Sequence, residues 1–288
     1  VALGAFLAMV VGSNIDAEYL GFVNFDPTHM ANAIIQAAEN VLKLLGKWRL
    51  PVDPFAIAND EGIILSPGVY GDRFDARIEY LPDERRFVIY YKLAGRNQGR
   101  IRFSIGHELG HYYLEEHRDR LVSGKAHDSV TDYRSTMKTE QEADQFAANL
   151  LMPESLFLSE VKRFRQGVCT LQDLLTLADR LETSVTSTAI RYCDLNVEPA
   201  MLVISQNGLV QWSYAAADMH PSGCWFARQG SLIPEKSQTA KLLANPSENI
   251  FGHRTDPHVW FDWPKRSWIF EEAMILGDRV LTWIVLDD

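Results

Sequence analysis

The stretch Ile101 to His117, IRFSIGHELGHYYLEEH, constrains this chain more than any other. It carries His107, Glu108 and His111 in a His-Glu-x-x-His pattern. Histidines four residues apart share a face only on a helix, where they differ by about 400° in rotation and about 6 Å in rise. On that spacing two imidazoles can converge on one Zn²⁺ at about 2.0–2.1 Å. Glu108, about 100° further round, lies beside such an ion, within reach of the water it binds. The competing reading is a helix with two surface histidines, and the pentapeptide alone does not remove it.

A second stretch does more. Residues 140–153 read EQEADQFAANLLMP. A catalytic zinc site takes three protein ligands and keeps one position open. Glu140 is the candidate third ligand, at the start of a helix that follows a loop long enough to turn back. Asp144, four residues on, shares its face and can accept a hydrogen bond from the distal N–H of a zinc histidine, which fixes the tautomer. Glu142 is about 200° away from Glu140 and should face elsewhere. Read alone, Glu140 and Glu142 fit a solvated first helical turn favoured by the macrodipole better than a ligand site.

Together, RFSIGHELGHYYL and EQEADQFAANLLMP closely resemble the ImmA/IrrE family of zinc metallopeptidases. The likeness extends to PVDPFAIANDEGI and the helix before it, and spans about residues 31–195. It implies His107, His111 and Glu140 as zinc ligands, Glu108 as general base and a zincin-like peptidase domain. Members of the family cleave helix-turn-helix repressors in stress responses or mobile-element induction, so the likeness implies a protein substrate of that class. The chemistry needs no family: zinc lowers the pKa of bound water from 15.7 toward about 7, and Glu108 moves a proton from it to the leaving amine. Tyr112, His117, His127 and Tyr133 are candidates for a further oxyanion donor, with nothing to select one.

Around these motifs the pattern is mixed. Residues 31–46 repeat apolar positions at helical spacing and stop at Gly46. Pro51 and Pro54 precede a short helix and a strand near Gly62–Leu65. FDARIEYL and RFVIYYK form a hairpin around Pro82-Asp83-Glu84-Arg85. Residues 99–117 read as one helix, 118–136 as an unpatterned polar stretch and candidate lid, 137–151 as a helix, and 155–165 and 171–193 as two more. After Glu198-Pro199 the pattern turns to strands, with Asn207-Gly208 as a type I′ hairpin turn and a short helix at 235–244. VWFDW, SWIFEEAMIL and RVLTWIVL are the last strand candidates. The expectation is an α+β chain: an extension at 1–30, a mainly helical peptidase domain with a small sheet at 31–197, and an α+β antiparallel-sheet domain at 198–288. Some members of the resembled family carry a sensor-like GAF-type domain there, which implies a role in regulation or substrate recognition.

Composition narrows the function. With 28 basic and 38 acidic residues the net charge is −10, and basic stretches such as Arg96, Arg100 and Arg102 carry only three charges. That gives no footprint for DNA or RNA. Residues 171–193 look like a helix-turn-helix, but Arg191 is the lone basic residue on its second helix, so this stretch reads as core packing of the peptidase domain. Cys169, Cys193 and Cys224 suit free buried thiols in a reducing, cytoplasmic setting. No apolar run is long enough to span a membrane. Residues 1–12 are apolar, but no Lys or Arg precedes them, so an upstream extension fits better than a secretory leader, with Met30 as an alternative start. His253 and His258, near Asp256 and Asp262, read as a polar loop rather than a second metal site. Trp212, Trp225, Trp260, Trp263, Trp268 and Trp283 should mostly be core. The rival to a peptidase is a non-catalytic zinc-containing sensor, whose fourth ligand would be His117 or His127.

Overall fold

A computed structural model of the chain describes residues 27–70, 74–93, 97–124, 133–164, 167–225, 227–246 and 250–287. These fall into two compact units: 27–157 with Ala178–Ser184, and 158–177 with 185–287. Of the 1–30 extension, 1–26 lie outside the described residues, and so does His127.

The first unit opens with α1 (Pro27–Leu44), which starts four residues before the apolar repeat and buries Ile34, Ala38, Val41 and Leu42. In α2 (Pro54–Asp60), Pro54 takes the first turn, where its missing N–H costs nothing, and Asp53 accepts from Phe55 N and Ala56 N at 3.0 and 3.2 Å. A three-stranded sheet follows, ordered β1 (Ile64–Gly68), β3 (Arg86–Lys92), β2 (Ala76–Leu81). The middle strand pairs parallel with β1 and antiparallel with β2, the latter through the expected turn. Pro67 is tolerated because β1 is an edge.

The 99–117 reading needs correction. Helix α3 (Gln98–Tyr113) ends at Leu114, whose ψ of 115° is extended, and α4 (Glu115–Val122) starts afresh. Glu115 and Glu116 in the first turn of α4 favour its exposed N–H groups. Helix α5 (Tyr133–Leu151) begins four residues earlier than expected, so Glu140 lies two turns inside it. The first-turn explanation of Glu140 therefore falls away. Helices α3 and α5 pack together through small residues. An added Cβ at Gly110 would stand 3.0 Å from Ala143 Cα, and one at Gly106 would stand 3.4 Å from Ala147 Cβ. The opposite stripe of α3, Ile101, Ile105, Leu109 and Tyr112, is core.

Beyond α6 (Glu154–Phe164) come α7 (Leu171–Leu181) and α8 (Val185–Asp194), separated where Glu182 takes φ 52°. The sheet of the second unit is five-stranded and wholly antiparallel: β5 (Leu209–Ala215), β4 (Ala200–Gln206), β8 (Arg279–Asp287), β7 (Trp268–Leu276), β6 (Ile250–Thr255). Asn207 and Gly208 have the positive φ values, 53° and 76°, that their hairpin turn requires. Helix α8 lies against β4 and β5. Arg191 is buried and paired with Asp194 at 2.9 Å, so the stretch is core, but α8 groups with the second unit's sheet rather than with the peptidase core expected for it. A short helix, α9 (Gln238–Ala244), carries a Ser237 cap. Cys169, Cys193 and Cys224 are free and buried.

Two strand expectations are overturned. VWFDW is no strand, because Asp256 caps a short 3₁₀ turn at Pro257–Val259 and the chain continues as loop. The strand lies just before it, at β6, inside the segment read as a polar loop; β6 is an edge and tolerates exposed His253. The tryptophan expectation also fails. Of the six, Trp283 is fully buried, whereas Trp225, Trp263 and Trp268 are exposed. Trp225, Trp260 and Trp263 line a surface cavity of about 570 Å³ with Arg228, Leu232 and Asp262.

Candidate metal centre

The site is made by α3 and α5. Gly106 and Gly110 are four residues apart on α3, and Ala143 and Ala147 four apart on α5. This small-residue stripe brings the backbones close, and the residue after each glycine, His107 or His111, reaches across. His107 Nε2 lies 3.1 Å from His111 Nε2 and 3.1 Å from Glu140 Oε2, and His111 Nε2 lies 3.5 Å from Glu140 Oε1. A tetrahedral ion with bonds of about 2.0–2.1 Å sets its ligands about 3.3–3.4 Å apart. The triangle fits that requirement. It is also the one His/Cys/Asp/Glu cluster of metal-binding dimensions among the described residues. Neither His253 nor His258 joins such a cluster; His258 Nδ1 faces Asp256 at 3.0 Å.

Asp144 stands where its spacing places it. His107 Nδ1 donates to Asp144 Oδ1 at 2.8 Å, which leaves Nε2 turned to the triangle. Burial disfavours a charged His107, yet its hydrogen bonds to Asp144 and Glu140 prevail and raise its pKa well above the usual imidazole range. Burial would raise the Glu140 carboxyl, but hydrogen bonds from His107 and His111 hold it far below the carboxylate range. The three side chains thus converge on one point, a place that a divalent cation can occupy.

Glu108 is buried, and its Oε2 accepts from the backbone N–H of Ile78 at 2.9 Å. That N–H belongs to β2 and is turned away from β3. Nothing within α3 signals this contact, which spans 30 residues of sequence. Glu142 does face away from the triangle, and its Oε2 accepts from His117 Nε2 at 2.9 Å. Of the oxyanion candidates, Tyr112 is committed elsewhere: it and Tyr113 donate to the two oxygens of Glu61 at 3.0 and 2.9 Å. The side chains of His127 and Tyr133 lie outside the described residues.

Two helices presenting a His–His–Glu triangle beside a buried carboxylate have the makings of a metallopeptidase centre. Residues 68–192 match the family model for the IrrE N-terminal-like domain, Peptidase M78. That match supports an IrrE-type peptidase fold for the segment, over a narrower span than the 31–195 likeness read from the motifs. A solved Mycobacterium tuberculosis transcriptional regulator has a similar fold, with a TM-score of 0.58 and 16% identity over 90% of this chain and 78% of that one. At that identity the likeness is one of fold. No curated protein matches the chain. Among the described residues no helix is long and apolar enough to cross a membrane.

Proposed function

We propose that the chain is a zinc-dependent endopeptidase of the cytoplasm that cuts a helix-turn-helix transcriptional repressor and so derepresses stress-response or mobile-element genes. The observation that carries this reading is the triangle of His107, His111 and Glu140, with Glu108 beside it on the same helix. Zinc, when bound, acidifies water and polarises the scissile carbonyl. Glu108 then works as the proton carrier, taking a proton from the attacking water and passing it to the leaving amine. Ile78 holds one of its oxygens still, and Asp144 keeps His107 Nε2 aimed at the ion. The repressor substrate follows from the family likeness, and the free thiols suit a reducing compartment. In this reading 31–197 is the peptidase domain and 198–288, of GAF-like kind, recognises the substrate or a signal.

The Trp-lined cavity favours a second reading, a non-catalytic zinc-containing sensor acting through the C-terminal domain. That reading needs a fourth protein ligand. Among the described residues His117, its nearest candidate, is turned to Glu142. Zinc content and cleavage of the helix-turn-helix repressor encoded nearest the gene would be measured for wild type and Glu108→Gln. The peptidase reading expects about one zinc per chain in both and cutting by wild type alone. Full activity in metal-replete Glu108→Gln would sink the mechanism.

A further inference from the structure

His117 has no assigned part in the metal centre, yet it lies against it. On one unbroken helix, a residue six positions after His111 would be about 240° round and about 9 Å along, out of reach. The break at Leu114 changes that. It turns α4 so that the His117 ring comes to 5.1 Å, centre to centre, from the His111 ring, tilted by 41°. His117 is almost completely buried, at 3% exposure. Its Nε2 donates to Glu142 Oε2 at 2.9 Å, and the other Glu142 oxygen faces Lys138 Nζ at 3.4 Å. Its Nδ1 is buried with no hydrogen-bond partner among the described residues. A buried, half-satisfied imidazole detracts from stability, and leucine or phenylalanine would fill the space without that penalty. The polar ring is explained by what it touches.

We propose that His117, held by Glu142, is a positioning residue for the metal centre: it braces the His111 ring so that its Nε2 stays in the triangle with His107 and Glu140. The proposal rests on the zinc reading above. The brace has three parts, each on a different piece of chain. His111 is on α3, His117 on α4 across the break, and Glu142 on α5, two residues from the third ligand and pointing the other way. Asp144 orients His107 directly. His117 and Glu142 do the corresponding work for His111 through the face of its ring.

The test uses the full chain with His117→Ala, Glu142→Ala and the double variant. Zinc affinity is read by competition with a chromogenic chelator, ligand geometry by the visible spectrum of the Co²⁺ form, and apo stability by thermal unfolding. Each single substitution should weaken zinc binding about 10–100-fold and shift the Co²⁺ bands. The double variant should lose little more than the worse single, because the two residues act as one unit. Lower melting points with wild-type zinc affinity and spectra, or losses that simply multiply in the double variant, would overturn the brace. If the alanine variants do not fold, His117→Phe refills the ring volume but cannot reach Glu142. It should still lose about tenfold in affinity, and wild-type affinity there overturns the proposal equally. A wild-type chain that takes up no zinc overturns the metal reading and the brace together; zinc in wild type with unchanged variants overturns the brace alone.

Discussion

Gly110 sets how close α5 can come to the histidines, and Gly110→Ala should show it. The new Cβ would stand 3.0 Å from Ala143 Cα, 3.1 Å from its carbonyl oxygen and 3.3 Å from its Cβ. Carbon pairs settle at about 3.5–4.0 Å, so α5 must give way by a few tenths of an ångström. For stability two effects oppose. Alanine is the better helix former by about 1 kcal/mol, while overpacking costs about 1–3 kcal/mol. The net loss should be about 0–2 kcal/mol, leaving the chain folded. The metal centre is less tolerant. Ala143 lies between Glu140 and Asp144 in sequence, so the retreat carries the third ligand and the His107 partner away together. Metal–ligand distances tolerate about 0.2 Å, so zinc affinity should fall on the order of 100-fold. Gly106→Ala is the control. Its Cβ would meet Ala147 Cβ at 3.4 Å and Leu151 Cδ1 at 3.6 Å, near ordinary contact. It should gain up to about 1 kcal/mol and keep its zinc. Urea unfolding and chelator competition read both quantities. Wild-type zinc affinity in Gly110→Ala, or equal losses in the two variants, would refute the idea that this crossing sets the third ligand.

Asp144→Ala leaves His107 Nδ1 without its 2.8 Å partner and should weaken zinc binding about 10–100-fold; affinity within twofold of wild type would contradict that. Gly99→Ala places a Cβ 2.4 Å from Ser184 N and 2.5 Å from Thr183 C, so the α7–α8 turn must move, at about 3 kcal/mol by chemical denaturation. A loss below about 1 kcal/mol would show that turn to be yielding. Burial raises the Glu271 carboxyl above 4.5, against hydrogen bonds from the Thr239 N–H and hydroxyl that lower it. A raised carboxyl favours the folded state fully below 4.5 and loses that contribution as pH rises through its folded value. Glu271→Gln should therefore gain stability relative to wild type as pH rises from 4 to 7, and a pH-independent difference would rule this out.

The triangle could be read from sequence because its rule is local. The spacing of His107, His111, Glu140 and Asp144 is helical arithmetic, and tertiary packing had only to bring two helices together. The glycines that do so, Gly106 and Gly110, were visible in SIGHELGHYY but carry no mark that separates a packing glycine from any other. Ile78 and Glu108 meet across 30 residues, a distance that no periodicity spans. The break at Leu114 has neither glycine nor proline to announce it, so the contact of His117 with His111 was out of reach. In the second unit, apolar runs marked β7 and β8, which are central or next to it, because burial on both faces leaves an unbroken signature. Edge strand β6, with Gly252, His253 and Arg254, needs no such run, and its sequence reads as loop. VWFDW has the run but follows Asp256-Pro257, whose cap and fixed φ turn the chain away from a strand.

The hydrogen bond from Ile78 to Glu108 divides the labour of the centre in a way a protein engineer could use. Everything that would grip the ion comes from two antiparallel rods, α3 and α5, meeting on a glycine–alanine seam. What would aim the proposed proton carrier, Glu108, comes from a strand that contributes none of the three triangle residues. Transplanted into an unrelated bundle, the pair of rods should make a metal receptor that performs no hydrolysis. Adding the strand is the separate act that would turn the receptor into a catalyst.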